Sequence, residues 1–135
     1  MSRALELLRA SREGTRLDQA AIARTIDVCL DCMQACTACA DACLSEDEVQ
    51  DLVACIRLDQ VCAEVCEAVA TTLSIRAGHT QTLGDLLRAC ETACGACAEE
   101  CERHAEHHEH CRICAEACRA CERACAELGA ALRDA

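Results

Sequence analysis

Cysteine recurs at steps of three and four residues in four separate stretches of this 135-residue chain, apart from one step of seven between Cys55 and Cys62. The densest is the last, CRICAEACRACERAC, which carries Cys111, Cys114, Cys118, Cys121 and Cys125. Ahead of it come Cys29, Cys32, Cys36, Cys39 and Cys43, then Cys55, Cys62 and Cys66, then Cys90, Cys94, Cys97 and Cys101. Alternating steps of three and four keep returning to one face of an α-helix, and four such faces can share one bundle axis. The period-two alternation of a strand is absent. The spacing therefore predicts an all-α protein, an antiparallel four-helix bundle with thiols along its core.

Composition narrows what that core can be. The chain has no Phe, Tyr or Trp, and its 53% hydrophobic content is largely Ala and Cys. One or two buried cysteines behave as small hydrophobes, but seventeen do not suit a packing core. Leu or Ile would fill the same space without the risk of oxidation. The odd count also forbids complete intramolecular pairing, so a disulfide scaffold is the weaker reading. With 24 acids against 13 Arg, the charge of −11 argues against nucleic acid as a partner. No run approaches the length of a membrane span, and MSRALELLRASREG lacks the apolar centre of a signal peptide. A cytoplasmic setting with reduced thiols and no membrane partner is expected.

Local punctuation sets the organisation. Residues 1–14 read as a short N-terminal helix ended by Gly14, and residues 15–135 as a single bundle domain. Thr15 and Asp18 supply N-cap chemistry for a helix to about Leu44. Ser45-Glu46-Asp47-Glu48 fits a capping box opening the next helix, which ends near Ala77 with Gly78 as its C-cap. Thr82 and Asp85 mark the third start, and the last break falls within RHAEHHEH, residues 103–110, before a helix to about Leu132. Short connections make neighbouring helices antiparallel.

Thiolates on facing helices build a metal site, and soft sulfur selects Cu(I), Zn(II) or iron–sulfur clusters. Charge and geometry favour Cu(I), with many ions per chain. Seventeen buried thiolates approach neutrality with about one monovalent ion each, whereas each isolated four-thiolate zinc site keeps two negative charges. Side chains at i,i+3 or i,i+4 lie roughly 5–6 Å apart at Cβ, so a pair on one helix can clamp a two-coordinate ion and share sulfurs with the next. Iron–sulfur motifs usually wrap a cluster with loops, which straight helices do poorly. In the second thiol set the seam reads Cys55, Asp59, Cys62, Cys66, placing Asp59 where a cysteine is expected. A buried carboxylate must be paired or coordinated, so Asp59 is a candidate copper ligand or acceptor beside the cluster; the alternative is a solvated flank position.

Antiparallel order gathers Cys43, Cys101 and Cys111 at one end, and Ile22, Ile26, Leu73, Leu83, Leu86, Leu87, Leu128 and Leu132 at the other as an aliphatic plug. The thiol end also carries histidines. His104 and His108 continue the stripe of the third helix and are the expected entry ligands; His107 and His110 are further candidates. Which ring points inward depends on where the turn falls. His79 is a loop residue at the closed end, Met33 flanks the seam as packing, and Ala4, Leu5, Leu7 and Leu8 give the first helix a face to cover the plug or a neighbouring subunit.

The C-x-x-C-x-x-x-C-x-x-C-x-x-x-C motifs at Cys29–Cys43 and the matching steps at Cys111–Cys125 resemble the copper storage proteins, over residues 17–132. That resemblance implies a homotetramer of bundles filled with Cu(I) thiolate clusters. With His at the open end, the chain is similar to the family's cytosolic branch; the exported branch has Met there. Three cysteines on helix two, with Asp59 in the seam, depart from the fuller stripes. The expected function is copper storage without catalysis, since no hydroxyl nucleophile with a base partner can be assigned. Expected partners are copper ions, further copies of the chain, and a copper chaperone or small-thiol donor. Rival readings are a zinc or cadmium thiolate buffer, an iron–sulfur electron carrier and a redox-active thiol reservoir.

Overall fold

In the computed structural model, residues 2–12, 17–75 and 81–135 are described. Gly14, Thr15, Ala77, Gly78 and His79, and the boundary roles expected of them, lie outside those residues. Helix α1 spans Arg3–Ala10, α2 Gln19–Leu44, α3 Val53–Ser74, α4 Gln81–His104 and α5 Glu109–Asp134. In the bundle proper, α2 packs on α3, α3 on α4, α4 on α5, and α5 back on α2, which closes a square. Four long antiparallel helices with a short extra one are thus what the stripes predicted.

The helix starts follow ordinary capping physics. Ser2 Oγ accepts the Leu5 amide at 3.2 Å to open α1, and Asp18 Oδ1 accepts the Ala20 amide at 3.3 Å to open α2. The expected capping box at Ser45–Glu48 does not form. Ser45 instead ends α2, its amide donating to the Ala42 carbonyl at 3.1 Å while the Glu46 amide donates to that of Cys43 at 3.2 Å. The chain then takes a 3₁₀ turn, Val49–Leu52, before α3 begins at Val53. Leu52 on that turn is completely buried. Burial of a leucine stabilises by about 2 kcal/mol, against about 1 kcal/mol for a cap, so tertiary packing overrides the local motif. After Ser74, Ile75 is extended, ending α3 slightly before the expected Ala77.

Around the axis the core changes along its length. At one end Ile22, Ile26, Val69, Leu73, Leu83, Leu87 and Leu128 form the apolar plug, with Leu86 and Leu132 partly buried against it. Helix α1 lies over this end: Leu8 is buried, Ala4 and Leu5 are half-buried, and a groove lined by Leu8, Ile26 and Ser74 marks the contact. Leu7 faces outward. Beyond the plug the aliphatic side chains give way to sulfur. Met33 packs partly buried beside the core, as the sequence suggested. No helix among the described residues is long and apolar enough to cross a membrane.

Candidate metal centre

All seventeen cysteines are buried and none is disulfide-bonded. The helical steps that place them on one face explain this, because each residue of a stripe returns to the axis after a full turn. Sulfurs on one helix approach at steps of four: Cys32–Cys36 at 3.9 Å, Cys62–Cys66 at 3.9 Å, Cys90–Cys94 at 3.8 Å and Cys114–Cys118 at 4.0 Å. Contacts between helices are as short or shorter: Cys29–Cys121 at 3.6 Å, Cys36–Cys118 at 3.6 Å, Cys62–Cys94 at 3.6 Å and Cys55–Cys101 at 3.5 Å. The expected picture of an ion clamped by two cysteines of one helix therefore understates the site. Metal–sulfur bonds of about 2.3 Å spread trigonally or tetrahedrally separate their sulfurs by roughly 4 Å, so sulfurs of several helices can surround each ion.

The sulfurs form overlapping groups of four, each within 4.8 Å of one another. Cys29, Cys90, Cys121 and Cys125 make one; Cys32, Cys66, Cys94 and Cys121 the next; Cys32, Cys36, Cys62 and Cys118 another. Cys36, Cys97, Cys114 and Cys118 follow, and Cys39, Cys43, Cys55 and Cys111 lie at the thiol end. Cys32, Cys36, Cys118 and Cys121 each serve two groups. A corner shared this way is a bridging thiolate, so the column suits linked ions more than separate tetrahedra.

Burial sets the proton chemistry of the metal-free column. At Cys43 desolvation dominates and pushes the thiol up to about 12. Where several S–H groups donate to one sulfur, the thiolate is favoured instead: Cys29 is lowered to about 6 by Cys121 and then Cys125. Other sulfurs of the column shift the opposite way: Cys36 is raised, first by its contact with Cys114. Protons are thus shared unevenly among sulfurs that touch.

Asp59 is completely buried, so the solvated alternative is excluded. Its Oδ1 accepts from Cys97 at 3.1 Å, Cys114 at 3.2 Å and Cys101 at 3.7 Å, while Oδ2 accepts from Cys55 at 3.9 Å. Desolvation, then the charge of Cys114, pushes its carboxyl up to about 8, with the Cys97 hydrogen bond opposing. Asp59 joins the thiol-end sulfurs to the middle of the column.

The histidines divide. α4 ends at His104 and α5 opens with His108 as its N-cap residue. His104 lies back along its own helix, with Nε2 2.8 Å from Glu100 Oε2, and His107 is exposed. His108 is buried between carboxylates, Nδ1 3.5 Å from Glu46 Oε1 and Nε2 3.3 Å from Glu48 Oε1. His110 is the ring that meets sulfur. Its Nδ1 stands 3.6 Å from Cys39, 3.6 Å from Cys111 and 3.9 Å from Cys43. Stripe arithmetic set His104 and His108 ahead of His110, because His110 directly precedes Cys111 and falls off the seam. In the first turn of α5 its ring nevertheless bends over the end of the column. Glu46, absent from the expected site, touches His110 Nε2 at 3.2 Å; the one sequence clue was its place in the loop at the same end.

A family model described as copper storage protein matches residues 18–130. The chain belongs to the copper storage protein family. Among solved structures, the copper storage protein Ccsp of Streptomyces lividans loaded with 10 copper equivalents superposes with a TM-score of 0.92 at 54% identity, covering 94% of this chain and 98% of that one. A structure described as a cytosolic copper storage protein of Streptomyces lividans with five coppers gives 0.81 at 59% identity, over 82% of this chain and 93% of that one. Cu(I)-bound BsCsp3 is more distant, at 0.68 and 34% identity, over 78% and 95%. Family membership accounts for a bundle whose core is given over to thiols.

Proposed function

We propose that this chain is a cytosolic store for Cu(I), holding many ions as linked thiolate clusters along the bundle axis. The observation that carries the reading is the sharing of Cys32, Cys36, Cys118 and Cys121 between neighbouring groups of four. Each Cu(I) that displaces a proton from a thiol leaves the dry interior's charge unchanged, so loading can continue along the column without accumulating buried charge. The solved relatives loaded with copper support the choice of metal.

Ions enter at the end where His110 meets Cys39, Cys43 and Cys111, since the opposite end is closed by aliphatic side chains. His110 is the first nitrogen on that route, with His108 behind it. Asp59 serves as a ligand or acceptor at the step inward. The reading includes assembly into a homotetramer, as the family resemblance implies, with exposed Leu30, Val61 and Ile113 on the outer faces of α2, α3 and α5. A copper chaperone or small thiol supplies the ion.

Anoxic titration of the reduced protein, followed by metal analysis after desalting, tests the reading. Cu(I) is expected to saturate near one ion per thiol, and zinc at roughly one per four. Copper saturating at only one ion per four sulfurs would overturn it.

A further inference from the structure

The mouth contains a carboxylate that the copper route does not itself use. Glu46 lies in the turn between α2 and the 3₁₀ segment, sixty-four positions from His110, yet its Oε1 stands 3.2 Å from His110 Nε2. The same oxygen is 3.5 Å from His108 Nδ1, and the two rings stack with centroids 5.3 Å apart. Three thiols converge on the opposite nitrogen of His110.

These contacts differ in kind. A carboxylate only accepts hydrogen bonds, so Nε2 of His110 must carry the proton it offers Glu46. In a neutral imidazole the other nitrogen then has the free lone pair. That nitrogen, Nδ1, is the one facing Cys39, Cys43 and Cys111. Without Glu46 the ring could place its proton on Nδ1, where it would point at the sulfurs and block coordination, or could swing outward.

We propose that Glu46 is a positioning residue for copper entry: it receives Nε2–H of His110 and so holds Nδ1 as a lone-pair donor aimed into the mouth. This rests on the reading of His110 as the entry ligand. Carboxylate partners of ligating histidines fix tautomer and orientation in this way, and their loss commonly weakens metal capture by roughly 10–100-fold. Glu46 also ties the α2–α3 turn to the start of α5 across the mouth, which keeps the ring over the column rather than beside it.

The test compares Glu46→Ala, Glu46→Gln, Glu48→Ala and His110→Ala in the full-length, reduced, metal-free protein. Rapid-mixing measurements follow uptake of the first equivalents of Cu(I) from a weak Cu(I) chelator, and ¹⁵N NMR of the imidazole ring reports which nitrogen carries the proton. Wild type is expected to show Nε2–H at His110. Glu46→Ala should give a mixed tautomer and slow first capture roughly tenfold, with total capacity unchanged. Glu46→Gln can still accept through its amide oxygen, so it should restore the tautomer and most of the rate. Glu48→Ala removes an equal charge beside His108 alone and should leave the His110 tautomer as it was. If Glu46→Ala retains the wild-type tautomer or rate while His110→Ala is slow, the positioning role fails. Equal slowing by Glu48→Ala would reduce it to attraction of cations by charge, and overturn it too. If His110→Ala itself loads at the wild-type rate, the entry reading fails, and the positioning role with it.

Discussion

At the Cys43 end the four helices close on sulfur, imidazole and carboxylate; at the Leu73 end the same helices close on leucine, isoleucine and valine. The backbone geometry is continuous between them, so the difference lies in the side chains that fill the seam. An aliphatic seam gains from burial in any state of the protein. A thiol seam packs more weakly while metal-free, and becomes the stronger region only when ions bind the folded chain and not the unfolded one. The plug therefore holds the empty bundle together, and the column holds the full one.

Leu87→Ala is the most direct way to break that comparison. Leu87 is almost completely buried, and truncation at such a site costs about 2–5 kcal/mol. The metal-free variant should melt well below wild type, by roughly 3 °C or more for each kcal/mol. Copper capacity should be unchanged, because Leu87 carries no ligand atom, and loading should raise the melting temperature of both proteins far above their metal-free values. Calorimetry of the empty and loaded forms checks this. If the variant lost copper in proportion to stability, the two regions would not be separable.

Asp59→Asn sharpens the comparison from the column side. The folded carboxyl is raised to about 8, against roughly 4 in an unfolded chain. The stability associated with its protonated form is complete below about pH 4 and is lost as pH rises through about 8. At about 1.4 kcal/mol per unit, the three units between pH 5 and pH 8 make the loss over that interval on the order of 4 kcal/mol. Asparagine has no such charge, so the metal-free variant should gain on wild type as pH climbs from 5 to 8.5, measured by urea unfolding at each pH. Thiols lowered into the same range, such as Cys29 at about 6, act with the opposite sign, and taking the difference between the two proteins cancels them. A difference that did not change with pH would remove the buried-acid account of Asp59.

The same contrast explains which parts of the molecule were legible in the sequence. The four stripes and the plug follow from helical periodicity, which needs only residue spacing, and the square of helices came out as expected. The ends of helices did not follow so well. Ser45 matched a capping box, yet burial of Leu52 in the 3₁₀ turn decided the local path. His104 continued a stripe, yet α4 stops at that residue and its ring turns to Glu100. His110 and Glu46 meet only because two connections from distant parts of the chain lie over one mouth. Periodicity governs the interior; at the mouth the outcome depends on how turns pack, and no pattern within one segment records that.

The smallest expected effect falls on the plug, at Gly129. This residue is in the interior of α5, where glycine is less favourable than alanine by about 0.8–1 kcal/mol. A Cβ added there would lie 3.6 Å from an Arg133 nitrogen and 4.0 Å from Leu87 Cβ, both ordinary contacts. Gly129→Ala should therefore stabilise the metal-free protein by about 0.5–1 kcal/mol, seen as a higher urea midpoint at an unchanged slope. Copper capacity and loading rate should match wild type, because the gain is confined to the end that closes the bundle. A shift in loading rate would mean that motion at the plug reaches the mouth through the length of the helices, and the separation between an end that only packs and an end that only exchanges metal would no longer stand.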